Sequence, residues 1–340
     1  MDYDRGGFVE TPFRSFRQRP CPPISPPPGA QPIVFSRHPR CQTLPLPSNQ
    51  VAFGIDGEER LRWSASADAP RPFLFPLVGP SGLSLTRMGH PGAPNHDHHR
   101  SIWFAHQQLL GIDFWSDQGD GSIRQRQWLA YRDGDDWAGL AVELGWYDGH
   151  DPGPLMIQQV VIAVMPGADR ELSVELQTTL TPQSESLELG QTNFGLLAVR
   201  VAKSISAVFG DGVLGGPGGV RGEDALFGKA WPWVDYSGSI APGVTEGITY
   251  FDHPSNPGFP NKWHVRDDGW MGVSISRDGP LLLTRAAPLT LRYRLHAHRG
   301  GLQERRAATA AADFEDSLPF ILDEQPHPHV AYAIRRASTR

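Results

Sequence analysis

The chain has 340 residues, of which 39% are apolar and 20% charged, with a formal net charge of −6. That is length enough for one large core or two modest ones, without the basic excess typical of nucleic-acid-binding domains. Two cysteines (Cys21, Cys41) cannot build a thiolate zinc cage, the first residues lack the apolar core of a secretory signal, and no apolar run approaches the about 18 residues that span a bilayer. Reduced thiols, a cytoplasmic location, and neither a membrane nor a nucleic-acid partner are therefore expected.

Residues 1–44 carry Pro20, Pro22, Pro23, Pro26, Pro27 and Pro28 with little periodicity, and are expected to be extended or disordered, with a short strand near Ile33–Phe35. From 45 to 330 the pattern is strand, turn, strand, read as a single domain, and 331–340 reads as a C-terminal tail. Leu140, Val142, Leu144 and Trp146 alternate with Ala141, Glu143 and Gly145. Leu172, Val174 and Leu176 alternate in the same way with Ser173, Glu175 and Gln177. This period of two marks half-buried strands. Turns are signalled at Pro91-Gly92, Asp133-Gly134, Asp148-Gly149, Pro152-Gly153 and Asp278-Gly279.

Gly210-Asp211-Gly212-Val213-Leu214-Gly215 matches a dinucleotide fingerprint, but Gly216-Pro217-Gly218-Gly219 follows and cannot start the helix such a site requires. In Leu291–His298 the odd positions are apolar and the even ones are Arg292, Arg294, His296 and His298. The even face is either solvated or the lining of a cleft for a polar or anionic ligand. Only Gln303–Asp316, rich in Ala, Glu and Arg, has helical composition. The fold expected is all-β: a large antiparallel sandwich, of which the galactose-mutarotase-like supersandwich is one form, with one short C-terminal helix.

The densest chemistry is Asn95-His96-Asp97-His98-His99-Arg100, followed by His106, which puts four of the thirteen histidines within eleven residues. Three readings fit. His98, His99 or His106 shuttle protons while Arg100 holds a carboxylate or oxyanion. Alternatively His96, His98 and His106 ligate a metal. In the third reading the imidazoles are structural. Downstream, the proline-pinned loop Phe251–His264 carries Asp252, His253, Asn256, Trp263 and His264, a mixture of aromatic faces and hydrogen-bonding groups that either suits a sugar or fills the core beneath the loop. Arg200, on the apolar strand Phe194–Val201, requires a carboxylate partner or a ligand.

Phe75-Pro76-Leu77, Pro80-Ser81-Gly82, the segment His96–Phe104, Gly195–Arg200, Trp233–Gly238, Asp252–Pro257, Trp263–Arg266 and Leu291–Arg294 together resemble the PmoA-like family (the DUF6807 group) of bacterial proteins. The resemblance runs in order over roughly 50–300. It departs at His96, where the family has aspartate, at Asp97, where it has proline, and at Ser101, where it has glycine. The resemblance implies a β-sandwich and a setting in sugar catabolism.

Together these readings lead to an enzyme that hydrolyses, eliminates or isomerises a sugar or sugar acid by histidine acid/base chemistry. His98, His99, Arg100, His106, Asp252 and His253 would be catalytic, and Arg200, Asn256, Trp263, His264 and Arg292 would bind substrate on one concave face. No cofactor is required. The alternatives are a non-catalytic carbohydrate-binding protein, or an oxygenase or hydrolase with a divalent metal on His96, His98 and His106. Nothing in the sequence specifies an oligomeric state.

Overall fold

A computed structural model describes residues 38–338. The proline-rich lead-in up to residue 37, the strand near 33–35 and Cys21 lie outside the described residues.

In chain order the first strands are β1 Cys41–Leu46, β2 Gln50–Ile55, β3 Glu58–Ser64, β4 Phe73–Leu77 and β5 Ile102–His106. The next are β6 Ser122–Arg132, β7 Ala138–Tyr147, β8 Met156–Pro166, β9 Leu172–Pro182 and β10 Ser186–Leu189. Then come β11 Gly195–Arg200, β12 Val213–Gly215, helix α1 Glu223–Leu226, β13 Trp233–Ala241 and β14 Val244–Asp252. The chain continues with β15 Trp263–Arg266, β16 Trp270–Val273, β17 Leu281–Thr284 and β18 Leu289–Arg299. Helix α2 Glu304–Glu315 and the hairpin β19 Phe320–His327 and β20 Val330–Arg336 complete it.

Two eight-stranded sheets dominate, ordered β1-β2-β3-β4-β5-β11-β16-β15 and β12-β13-β14-β18-β9-β8-β7-β6. Their inner faces share one apolar core: Val51, Leu61, Phe104, Val199 and Met271 from the first sheet meet Val142, Ile162, Leu176, Tyr250 and Leu295 from the second. The protein is therefore the expected antiparallel sandwich. The alternation in β7, β9 and β18 sends every second side chain into that core, where each fully buried aliphatic contributes about 1.5–3 kcal/mol.

Several details correct the sequence reading. Residues 41–44 do not belong to the lead-in, because they pair with β2 from Cys41↔Ile55 to Leu44↔Ala52. Cys41 is a free, buried thiol whose burial pushes its pKa to about 11. The expected tail from 331 is instead strand β20, whose Ile334 packs with Phe320 against Val161 and Ala141 on the outside of the second sheet. α2 and this hairpin lie over the polar face of β18, with Arg292 left on the wall of a cavity beneath the hairpin. Arg294 and Arg336 both pair with Glu175, at 2.7 and 2.6 Å, and His298 pairs with Asp235 at 2.7 Å.

The Gly210–Gly215 motif serves backbone packing. A Cβ at Gly210 or Gly212 would lie 1.8 Å from the carbonyl oxygen of Ser204 or Ile205. Among the described residues no helix is long and apolar enough to cross a membrane.

Candidate functional site

The outer face of β5, β11, β16 and β15 carries what the core does not take. One rung across the four strands reads Trp103, Ala198, Gly272, His264, and the next includes Arg200, Trp270 and Arg266. Small residues in the middle of the first rung leave a trough. A Cβ at Gly272 would come within 3.2 Å of the Trp270 indole, so glycine is what allows that ring to lie close over the sheet. The trough is filled by rings. His99 stacks on Trp103 and on Trp270 with centroids 5.4 and 5.7 Å apart, Phe194 stacks on Trp270 at 5.7 Å, and His264 meets Trp270 at 4.0 Å.

Above this floor is a cavity of about 490 Å³, walled by His96, His98, His99, Gln107, Asp113, Trp115, Ser116, Phe194, Arg200, His264, Arg266, Asp268 and Trp270. Such a volume suits a small organic ligand. Two short segments form the walls. A 3-10 turn, Pro94–His96, leads into His98 and His99. Asp113 caps a turn by accepting from the backbone N–H groups of Trp115 (2.6 Å) and Ser116 (3.1 Å). The two walls are tied by Asp117, which accepts from Arg71 Nη1 at 3.0 Å and from Arg100 Nη1 at 2.8 Å. Arg71 also donates to the carbonyls of Phe114 and Ser116.

Arg200 is fully buried. Its Nη1 donates to Asp268 Oδ1 at 2.7 Å, and Asp268 Oδ2 lies 3.0 Å from His90 Nε2. Burial would raise the Asp268 pKa, but Arg200 and His90 outweigh it and hold the carboxyl below its usual value. Arg200 Nε and Nη2 have no hydrogen-bond partner among the described residues. The same holds for the Nε1 atoms of Trp103, Trp115 and Trp270 and for Nδ1 of His99 and His264. Burial and nearby cations lower the pKa values of His98, His99 and His264. His264 is lowered to about 3, His99 is lowered further, chiefly by burial and His98, and His98 is lowered by burial and Arg71.

Of the residues singled out in the sequence, His96, His98, His99, Arg200 and His264 converge here. The others do not, and the expectation of one shared face is corrected. Arg100 spends both terminal nitrogens on Asp117. His106 points away from the cavity: Nε2 lies 2.9 Å from Ser276 Oγ and Nδ1 accepts from the Gln108 N–H at 3.1 Å, so the proton sits on Nε2. Burial lowers its pKa to about 4. Trp263 faces the core and donates to the Trp231 carbonyl. Asp252 pins its own loop by accepting from Asn256 Nδ2 (2.7 Å) and Asn261 Nδ2 (2.9 Å). Asn256 also exchanges hydrogen bonds with the Arg292 backbone, and His253 lies 2.7 Å from Arg292 Nη1 under α2.

The metal set His96, His98 and His106 is not assembled, since His106 is committed to Ser276. Among the described residues no three His, Cys, Asp or Glu side chains are grouped to hold an ion. A larger cavity, about 640 Å³, lies beneath the C-terminal hairpin. Its Gln177 is bonded to the Phe320 backbone, Thr179 to Thr290 and Arg292 to Ser317, so those groups leave little for a ligand.

Trp115, Asp268, Asp113, Asp117 and Phe194 were not identified as site residues from the sequence. The partner demanded by Arg200 was the only signal for one of them, and nothing local selects Asp268 from the other acids.

A family model described as a family of unknown function (DUF6807) matches residues 50–312. No curated protein matches the chain. Among solved structures it is similar to a 4-alpha-glucanotransferase from Thermococcus litoralis, at 10% identity and a TM-score of 0.31, over 78% of this chain and 40% of that one. The chain thus spans well under half of that enzyme, and so weak a likeness carries no argument about chemistry.

Proposed function

The chain belongs to the DUF6807 family, whose function is unknown, and we propose that its aromatic cavity is the active site of an enzyme acting on a sugar or sugar acid by general acid/base chemistry. The observation that carries this reading is the set of buried, unpartnered polar atoms on Trp115, Trp270, Arg200, His99 and His264 around one cavity. A buried group without a partner costs about 1–3 kcal/mol, and such costs are tolerated where a ligand supplies the missing bonds. Flat rings with polar atoms at their edges match a sugar, whose C–H faces stack while its hydroxyls hydrogen-bond.

His98 is the candidate base. It is half-buried at the cavity wall and deprotonated at neutral pH, ready to accept a proton from a substrate hydroxyl or carbon acid. Asp113, on the same cavity, is the candidate second group. Arg200 would stabilise negative charge that develops on the substrate. His99 and His264, held neutral, would orient it by hydrogen bonds.

Tryptophan emission titrated with a panel of aldoses and uronic acids, together with turnover assays, tests this reading. Trp115→Ala should weaken binding about tenfold, and His98→Gln should lower kcat by about a hundredfold or more with affinity kept within a few-fold. Failure of every sugar to bind sinks the reading. The strong neutrality of His99 and His264 favours one rival, a non-catalytic sugar-binding protein, which would bind without turnover and be indifferent to His98→Gln.

A further inference from the structure

A guanidinium presents its donors in pairs, and the Nε–H and one Nη2–H point the same way as a parallel fork. In Arg200 the opposite terminal nitrogen, Nη1, is held by Asp268. The two atoms left unpartnered, Nε and Nη2, are the fork. Its orientation is set from behind, because Asp268 is itself held by His90 through its second oxygen. The indole nitrogens of Trp115 and Trp270, on the same cavity, are unpartnered too, and like arginine they can only donate. The site therefore calls for a ligand group made of acceptors.

Charge limits which one. Among the charged side chains that line the cavity, Arg200 and Arg266 face Asp113 and Asp268. Arg266 is already paired with Glu223 at 2.6 Å. The unpartnered Arg200 fork matches the two oxygens of one carboxylate, whereas a phosphate dianion would bring a second negative charge beside Asp113 and Asp268.

We propose that the ligand is a sugar acid whose carboxylate receives the Nε–Nη2 fork of Arg200, with its ring against Trp115 and Trp270. This rests on the reading of the cavity as a sugar site and narrows it from sugars in general to those bearing a carboxylate.

The test is calorimetric titration of the full chain with D-glucose and D-galactose, D-glucuronate and D-galacturonate, the methyl esters of those uronates, and inorganic phosphate. A uronate should bind about ten- to a hundredfold more tightly than its own methyl ester, the range expected for losing a charged hydrogen-bonded pair. Arg200→Lys, which keeps the charge and loses the fork, should erase most of that preference, with thermal melting as the check on folding. The comparison of acid with ester on the unaltered protein decides the matter even if the variant does not fold. Equal binding of acid, ester and neutral sugar overturns the carboxylate assignment and leaves the sugar reading standing. Phosphate binding more tightly than every uronate also overturns it. Absence of binding by every sugar and uronate overturns both.

Discussion

Arg200 Nη1 lies 2.7 Å from Asp268 Oδ1, and that single contact decides which edge of the guanidinium is left without a partner. Arg200 ends β11, and Asp268 sits in the turn between β15 and β16, 68 residues further along the chain. The pairing of β11 with β16 brings them together, and His90 reaches the other oxygen of the same carboxylate.

Removing that carboxylate strands a fully buried cation. Asp268→Ala should cost about 3 kcal/mol of stability, read from urea denaturation. Replacing both partners at once, as Arg200→Met with Asp268→Leu, should recover much of that loss, because the unpaired buried charge is gone too. A double variant no more stable than Asp268→Ala would mean that the pair acts through something other than charge compensation.

Asp117 joins the two walls of the cavity by holding Arg71 and Arg100 at once. Asp117→Ala should cost about 1–3 kcal/mol. Amide hydrogen exchange should quicken in 94–101 and 113–117 while the strands of the second sheet stay protected. Uniform exchange across the whole chain would contradict the local role.

His106 is read as structural. The ring fits because Gly195 opposite it has no side chain, and a Cβ there would lie 2.5 Å from the imidazole Cδ2. The ring is fixed by Ser276 and Gln108 and cannot easily retreat. Gly195→Ala should therefore destabilise by about 1–3 kcal/mol. His106→Phe should lose a similar amount by leaving the Ser276 hydroxyl and the Gln108 N–H without partners. Ligand affinity at the cavity should be unchanged in His106→Phe, and a large loss there would return His106 to the site.

Stability should depend on pH mainly on the acid side. His99, His106 and His264 are buried and have lowered pKa values, about 4 for His106 and about 3 for His264. As pH falls below the ordinary imidazole value, the unfolded chain binds protons that the folded one refuses, so stability falls with it. The slope approaches about 1.4 kcal/mol per pH unit for each such histidine. His298 runs the other way. Burial would lower its pKa, but Asp235 more than offsets that and raises it, so its contribution is complete below the ordinary value and fades as pH climbs through the raised one. Urea denaturation from pH 4 to 8 should show a steep acid limb that His106→Phe makes shallower. A flat profile would show that these imidazoles titrate normally.

What the chain declares by itself is local. The period of two in Leu140–Trp146, Leu172–Gln177 and Leu291–His298 follows from the pleat of a strand, and the Ala-rich run at 303–316 from helix propensity. The crowding of imidazoles at 96–99 and the isolated charge of Arg200 on an apolar strand are equally plain. Periodicity states which residues share a face and says nothing of what will pack against it. Only the tertiary structure put α2 and a hairpin over the arginines and histidines of β18, sent Asp252 and His253 to the second sheet, and paired Arg200 with Asp268. Strand order did this: β5, β11 and the β15–β16 hairpin are far apart in the chain yet adjacent in one sheet. A trough made from three separated segments has no counterpart in any one stretch of sequence.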